Sequence, residues 1–527
     1  MSDPHTLIAP RVVADRAPLR LAVPALAALL TTVALGLRWR GSDLPAQLFR
    51  ADLIRKHGIV LWNNLWYGGH ATADYGLLTP VLGALTSPLF LAAVSCVVAA
   101  ELFGRILRDA FVKDWPLGAL VFAAAAVVNV IVGRVPFALG LALGLVAVRL
   151  LQRDQPRLAA LAGLAASAAS PVAGAFVALT AVAWGATRRE RKHVGAIVAL
   201  VTAAPVVVST LLYPDDGHFP LRGAALLWDL SVTLVVAVLA HRTGRRTVVV
   251  GSGLYGLVCL AAFVVSSPLG GNVSRLGQFV AAPLVLAMLL PKRRHLLTLA
   301  VVAPLVVWQW TPAVDAAVAA GRDPSTQQAY YEPLVSFLNG QTGAAVRTEI
   351  PFTFRHWETT YVADTVPLAR GWERQIDIAR NPAFYDGTLT AASYHDWLME
   401  NAVGFVALPD ARLDHSSLVE RQVLLAGVPG LEEVWHDAHW RVWRVADYRG
   451  LVDGPGMVVE LGATDVRLQV NAPGDLLVRL HYSSHWEVNG AGCVRRSPSG
   501  WTEVRGVRPG PLVLSQALLG SVCEGST

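Results

Sequence analysis

Residues 41–80 hold the densest collection of side chains that could do chemistry, and they lie between two apolar stretches. The segment contains aspartates and histidines that can exchange protons, two adjacent asparagines and a Gly68-Gly69 pair. Its aromatic side chains could stack on a sugar or mark a membrane interface: Trp62, Trp66 and Tyr67. A segment this rich is more than a connection between helices, and we interpret it as half of an active site.

More polar residues recur at the ends of later apolar stretches. The predicted topology places them on the same side of the membrane as residues 41–80: Arg134, Ser170, Asp215, Asp216, His218, Asn272 and Arg275. The loops on the opposite side hold only short basic runs and no glycine-rich loop that could cradle a nucleotide. We therefore expect any reaction to occur outside the cytoplasm and without direct ATP binding.

The elements that must position these residues are membrane helices. The 527-residue chain is 54% hydrophobic and 16% charged, whereas soluble domains are about 25% charged. The mean hydropathy is +0.46. The sequence predicts about eleven apolar spans, the shorter ones buried within the bundle: 19–37, 79–102, 115–132, 135–151, 158–169, 172–186, 194–213, 224–240, 247–266, 279–290 and 296–310.

Basic residues predict the orientation of these spans. Arg11, Arg16 and Arg20 precede the first span and place the N-terminus in the cytoplasm. No cleavable signal peptide is evident. Alternation through the spans returns every later basic cluster to the cytoplasm, and leaves residues 41–78 and the tail after residue 310 outside. The net charge of +6 is thus a topology signal, and no nucleic-acid partner is expected.

The tail has the composition of a globular region. We predict a transmembrane domain over residues 1–311, an extracytoplasmic mixed α/β region over 312–453 and an extracytoplasmic β-sandwich-like region over 454–527. Cys493 and Cys523 both lie in this tail, where an oxidising compartment lets them form a disulfide. Cys96 and Cys259 lie in apolar spans and are expected to be core residues.

Several short motifs resemble the GT-C superfamily of polytopic glycosyltransferases, which use polyprenyl-phosphate sugars. They are an acidic residue after the first helix (Ser42-Asp43-Leu44), then WNNLWYGGH, then a Tyr-x-x-Leu-x-Pro run into the second helix. The segments GRVPFALG, ASPVAG and NVSR and the outward tail are similar to cell-wall arabinosyl- and mannosyltransferase-like members. A composition rich in Ala, Val, Arg and Gly is typical of a high-GC bacterium, so the bacterial cytoplasmic membrane is the expected location.

The resemblance implies transfer of a sugar from polyprenyl phosphate to a hydroxyl of a cell-envelope glycan or lipid. Asp43 then acts as the general base that removes the hydroxyl proton. Arg275, next to Asn272, and Arg134 are the candidates for stabilising the leaving phosphate. The sequence lacks the adjacent acidic pair of the stricter family pattern, so no metal ligand is assigned. Asp215-Asp216 with His218 leaves a divalent cation open as a cofactor, the alternative being a solvated turn.

The same residues have plainer structural interpretations. Asp43 could be the N-cap of a helix over residues 45–56, which we expect to lie on the membrane surface. The three aromatic residues named above could form an interfacial belt instead of a sugar platform. His70 and Asp74 could orient a substrate or make structural hydrogen bonds at the end of the loop.

Two other functions compete with glycosyl transfer. A transporter or flippase of a lipid-linked glycan needs a polar path through the bundle, but ionisable residues within the spans are sparse, Asp229 and Glu101 being the notable ones. A non-catalytic envelope assembly protein would be favoured if packing sealed the first loop. The run ARGWERQ, residues 369–375, combines charge with a tryptophan and indicates a specific contact.

Overall fold

The computed structural model describes residues 17–72, 76–111, 114–214, 217–289, 295–318, 322–341 and 346–523. Apolar helices occupy the first part of the chain, and a mixed α/β region and a β-sandwich follow. The predicted fold class is therefore confirmed.

Nine of the eleven predicted apolar spans each coincide with one helix, whereas the span over residues 79–102 is divided between Leu78–Leu85 and Pro88–Phe111, and the span over 115–132 between Trp115–Ala126 and Val128–Val132. Within the described residues, nine helical stretches are long and apolar enough to cross a membrane, and α8 and α9 are shorter, with 14 and 16 residues. The helices of this region are α1 (Ala17–Gly36), α2 (Leu44–His57), α3 (Leu78–Leu85), α4 (Pro88–Phe111), α5 (Trp115–Ala126), α6 (Val128–Val132), α7 (Val135–Gln152), α8 (Pro156–Ala169), α9 (Pro171–Ala186), α10 (Lys192–Leu212), α11 (Gly223–Arg242), α12 (Arg246–Val264), α13 (Ser274–Leu289) and α14 (His295–Val318).

The turn between α6 and α7 supports the start of the first loop. Gly133 ends α6 with φ of 90°, and a Cβ there would lie 2.3 Å from the backbone nitrogen of Leu44. Only glycine fits both the left-handed conformation and this close approach. The backbone N–H of Asp43 donates to the carbonyl of Val132 at 3.1 Å. The first loop is thus fixed to the end of the helix bundle.

The turn between α8 and α9 supports the other end of the loop. Ser170 caps α9, its hydroxyl accepting from the N–H of Ala173 at 3.4 Å. The hydroxyl of Thr79, in α3, donates to the carbonyl of Ala169 at 2.9 Å. The turn after α6 and the turn after α8 therefore contact the two ends of the first loop.

The first part of the tail is an α/β layer. Its sheet has the order β3-β4-β6-β5, with β3 parallel to β4 and the other pairs antiparallel. Including the short hairpin β1 (Trp62–Asn63) and β2 (His70–Ala71) of the first loop, the elements are α15 (Glu332–Gly340), β3 (Arg347–Glu349), α16 (Glu358–Tyr361), α17 (Arg374–Arg380), α18 (Ala383–Asp386), α19 (Ala391–Glu400), β4 (Val403–Pro409), α20 (Leu418–Ala426), β5 (Leu431–His436) and β6 (Trp440–Val445).

Two antiparallel four-stranded sheets form the sandwich, with the orders β12-β13-β10-β7 and β11-β14-β9-β8. Alternate side chains such as Leu468, Leu476 and Val504 fill the core between them. Cys493 and Cys523, the predicted pair, form a disulfide. The strands are β7 (Val452–Asp453), β8 (Gly456–Leu461), β9 (Asp465–Val470), β10 (Gly474–His481), β11 (Trp486–Asn489), β12 (Cys493–Arg496), β13 (Trp501–Val507) and β14 (Gly510–Gln516).

The tail packs directly on the first loop. One apolar core extends from the bundle helices through Trp66 to Trp357 of the tail, and α16 packs against α2. The prediction that the helix over residues 45–56 lies on the membrane surface is wrong in one respect. Arg50 is 3% exposed, because it pairs with Glu373 of the tail.

Candidate active site at the tail-facing end of the helices

Asp43 lies where the first loop meets the bundle. It occupies the N-cap position of α2, but its side chain accepts no capping hydrogen bond from the backbone that the structure describes. Instead Oδ2 lies 3.6 Å from Nε of Arg134, and Oδ1 accepts from the Ser42 hydroxyl at 3.3 Å. The Asp43 side chain is 22% exposed. The carboxylate is therefore committed to a cation rather than to helix capping, and it remains reachable.

Arg134 is positioned by the turn between α6 and α7. It precedes α7, and its side chain is 17% exposed. Nε and Nη1 have no hydrogen-bond acceptor among the described residues. A guanidinium keeps its positive charge and can offer several N–H groups to one phosphate. Arg134 thus combines an ion pair to Asp43 with two buried donors that have no acceptor among the described residues.

Arg275 lies near the same end of α7. Its guanidinium carbon is 5.3 Å from the centre of the Phe137 ring, and Phe137 follows Arg134 by three residues, or about one helical turn. Asn272 plays a structural part, since its side-chain N–H donates to the carbonyl of Pro268 at 3.1 Å. The structure therefore pairs Asp43 with Arg134 and places Arg275 against the first turn of α7, which follows Arg134.

The intramembrane carboxylate Asp229 has a separate setting. Its Oδ2 accepts a hydrogen bond from the Ser274 hydroxyl at 2.6 Å, which ties α11 to α13. The side chain is buried at 1% exposure. This contact is typical of helix packing and gives no support to a polar transport path.

The WNNLWYGGH segment lies in the interface with the tail. Trp66 is fully buried, stacks on Phe49 with ring centres 4.3 Å apart, and donates to the carbonyl of Thr359 at 3.2 Å. Trp62 packs edge-on against Trp486 of the sandwich, with ring centres 5.6 Å apart. Their rings are covered by protein, so neither presents a face to a sugar in this structure.

Tyr67 makes the most specific contact to the tail. Its hydroxyl donates to the carbonyl of Gly371 at 2.5 Å and accepts from the N–H of Glu373 at 2.9 Å. Burial, followed by the nearby carboxylate of Asp377, raises the pKa of Tyr67 well above its usual value. The phenol thus stays protonated and acts as both donor and acceptor in this contact.

His70 belongs to a buried ion cluster that joins the loop to the tail. Arg50 of α2 forms an ion pair with Glu373, and His70 Nε2 lies 3.6 Å from the same carboxylate. All three side chains are at most 5% exposed. Burial, and then the positive charges of Arg50 and Arg380, hold the pKa of His70 well below its usual value. The imidazole is therefore neutral, and it does not face an open cleft.

The run ARGWERQ, residues 369–375, is the part of the tail that contacts the first loop. Its combination of charge with a tryptophan is the sequence signal that indicates this contact. Gly371 lets the chain approach Trp66, since a Cβ there would lie 2.5 Å from that ring. Trp372 stacks on His356 with ring centres 3.3 Å apart, and Arg374 Nη2 binds Asp414 Oδ2 at 2.8 Å. Alternate residues of one short run thus point into the tail and toward the loop.

Arg370 is the inward-pointing cation of the same run. It contacts three buried carboxylates, of which Asp377 is nearest at 2.8 Å and Glu420 is at 3.2 Å. Burial and the adjacent Glu420 raise the pKa of Glu349, the third carboxylate, well above its usual value. A protonated Glu349 reduces the excess negative charge around one guanidinium.

The candidate cation site lies mostly outside the described residues. Among the residues that the structure describes, no three His, Cys, Asp or Glu side chains form a group that could hold a metal ion. Asp74, Asp215 and Asp216 lie outside the described residues. The proposed roles of Asp74 in substrate orientation and of Asp215-Asp216 with His218 in cation binding therefore stay predictions.

A small cavity opens between α2 and α3. Its volume is about 30 Å³, which suits one or two water molecules. Asp43 and Arg134 are not among its lining residues: Arg50, Leu53, Ile54, Ile59, Val60, Leu61, Thr72, Gly76, Leu77, Pro80 and Val81. The candidate acid–base group therefore lies outside this cavity.

The pair of Asp43 and Arg134 can accept a proton beside a fixed positive charge. An ionised carboxylate accepts a proton from a hydroxyl, and the guanidinium beside it attracts an anionic group. The aromatic segment and His70, for which both a substrate role and a structural role were expected, are buried between the loop and the tail in this structure.

Among the comparisons with known proteins, only the one with solved structures gives matches. No protein-family model and no curated protein matches the chain. Solved structures do match, among them ArnT from Cupriavidus metallidurans, whose crystal structure is described as bound to undecaprenyl phosphate. The identity is 15% over 82% of this chain and 99% of ArnT, with a TM-score of 0.39. At that score the match carries no argument about the reaction or substrate of this chain.

Proposed function

We propose that this protein is a GT-C-type membrane glycosyltransferase that moves a sugar from a polyprenyl-phosphate donor to an extracytoplasmic cell-envelope glycan or lipid. The observation that carries the proposal is the partly exposed pair of Asp43 and Arg134 at the tail-facing end of the bundle, with Oδ2 and Nε 3.6 Å apart. The motifs around Asp43 that resemble the superfamily support the choice of reaction.

In the proposed reaction, Asp43 takes the proton of the acceptor hydroxyl as that oxygen attacks the anomeric carbon. The bond between the anomeric carbon and the phosphate oxygen breaks, and the lipid phosphate leaves with the bonding electrons. Arg134 and Arg275 stabilise the negative charge that develops on it. No metal ion is needed for this proton and charge balance.

The proposed setting is the bacterial cytoplasmic membrane, with the N-terminus in the cytoplasm and the tail outside. A lipid-linked donor would reach the pair from the bilayer, and the acceptor would approach from the outer compartment. The tail would then cover the acceptor side of the first loop, which agrees with its packing on α2.

The test is sugar transfer by the Asp43→Asn variant in membranes supplied with labelled polyprenyl-phosphate sugars. Loss of the base is expected to reduce the rate by about 10²- to 10⁴-fold. Asp52→Asn is the matched control, because Asp52 lies on the same loop but pairs with Arg55 at the surface. Unchanged transfer by Asp43→Asn would remove the proposed base.

A second candidate is a non-catalytic envelope assembly protein. It is favoured by one observation, the sealing of WNNLWYGGH beneath the tail, with Trp66 at 0% exposure. If the wild-type protein transfers no sugar from any polyprenyl-phosphate donor while still supporting envelope assembly, this second function would replace the first.

A further inference from the structure

Two adjacent leucines of the sandwich are almost fully exposed. Leu518 is 84% and Leu519 is 89% exposed, in the short segment that follows β14. Side chains of this kind are normally buried, and two together form an apolar tip that water solvates poorly.

The tip is firmly held at both ends. The N–H of Ala517 donates to the carbonyl of His485 at 2.9 Å, and the N–H of Ser521 donates to the carbonyl of Trp486 at 2.8 Å. Between them, a Cβ at Gly520 would lie 2.3 Å from the carbonyl oxygen of Ser484. The disulfide at Cys523 closes the segment. The leucines are thus presented by a fixed loop.

The tip lies beside the end of a membrane helix. The His485 ring connects the two, with Nδ1 3.2 Å from the carbonyl oxygen of Leu518 and Nε2 2.9 Å from that of Leu212. Leu212 is the last residue of α10, and it and Leu211 are 50% and 76% exposed. Because α10 is apolar and long enough to span a membrane, exposed leucines at its end face lipid.

We propose that Leu518 and Leu519 insert into the lipid leaflet beside α10 and anchor the β-sandwich to the membrane surface. The partner is the acyl region just below the lipid headgroups, which takes apolar side chains out of water. Trp486 lies immediately behind the tip, fully buried, and contacts Trp62 of the first loop. The anchor would therefore also limit tilting of the tail over that loop. This inference is independent of the proposed transfer reaction.

The test uses single cysteines labelled with an environment-sensitive fluorophore in lipid vesicles that contain nitroxide-labelled lipids. Leu518→Cys and Leu519→Cys are separate variants, so that one remains if the other fails to fold. The native thiols Cys96 and Cys259 are buried, and Cys493 is bonded to Cys523. Labelling is thus directed to the introduced thiol.

Two further positions serve as controls. Leu211→Cys on α10 reports full lipid contact, and Leu425→Cys on α20, at 52% exposure, reports a tail surface in water. We expect the nitroxide lipid to quench the tip label about as strongly as the Leu211 label. Quenching no stronger than at Leu425 would overturn the proposal. So would a label shielded from water but not quenched, since protein would then cover the tip.

Discussion

Asp43 and His70 lie in the same loop but have opposite surroundings. Asp43 is partly exposed and lies 3.6 Å from a guanidinium that has spare donors. His70 is sealed beside Glu373 and Arg50, where burial lowers its pKa. A residue's type and spacing could predict a polar loop, but they could not predict which polar residues the tail would cover.

The neutral His70 predicts a pH dependence of stability. Below about pH 6.5, the unfolded chain binds a proton at this histidine that the folded protein, with its lowered pKa, does not bind. The stabilisation is therefore present above that pH and is lost as the pH falls, by at most about 1.4 kcal/mol per pH unit. Glu373, Arg50 and Arg380 are the charged groups that surround the ring.

The measurement is the unfolding free energy of wild type and His70→Asn in detergent between pH 5 and 7.5. Taking the difference between the two proteins removes the contribution of the other histidines. As the pH falls from 7.5 to 5, the unfolding free energy of His70→Asn should therefore decrease less than that of the wild type. Parallel pH profiles for the two proteins would show that His70 is not held neutral by the fold.

At the scale of elements, two short segments clamp the tail onto the bundle. The run ARGWERQ meets WNNLWYGGH through the Tyr67 hydroxyl and the carbonyl of Gly371, and it meets α2 through the ion pair of Glu373 with Arg50. Tyr67 and Gly371 are 304 residues apart in sequence. The sequence marked both segments as unusual, but local periodicity contains no information about which distant segment pairs with which.

Gly371→Ala should weaken this clamp. The new methyl group would lie 2.5 Å from the Trp66 ring, and both residues are buried in the interface, so overpacking should cost about 1–3 kcal/mol of unfolding free energy. Gly340→Ala is the control, because no described atom lies within 4 Å of a Cβ at that position. Chemical unfolding of both variants checks the prediction, and equal stabilities would contradict it.

Helices, by contrast, could be predicted one by one. An apolar run such as residues 135–151 must form internal hydrogen bonds in a membrane whatever its neighbours are, and α7 occupies Val135–Gln152. The error at Arg50 has the same physical origin as the missed clamp. A helix on the membrane surface was expected to turn Arg50 toward water, whereas Glu373 of the tail lies against it.

At the scale of the molecule, the sandwich also followed from the sequence. Its strands alternate more and less buried residues, as in β9 and β11, and such alternation is visible without a structure. The placement of the tail across the loop could not be predicted from the sequence, because it depends on interfaces between distant elements.

The orientation of the whole protein in the membrane can be tested by labelling the tail. Positive charges in the N-terminal segment predict that the tail faces outward. A membrane-impermeant maleimide should therefore label Leu425→Cys in intact right-side-out vesicles. Labelling that requires permeabilised vesicles would place the tail in the cytoplasm and contradict the proposed setting.

We propose that the first loop has two separate parts, a chemical pair at Asp43 and Arg134 and a structural contact to the tail at WNNLWYGGH. The most direct measurement is the transfer rate per folded molecule of Tyr67→Phe in proteoliposomes, with Asp43→Asn as reference. Tyr67→Phe should lose about 1–3 kcal/mol of stability yet transfer sugar at the wild-type rate, whereas Asp43→Asn should not. Loss of transfer in folded Tyr67→Phe equal to that in Asp43→Asn would contradict the division.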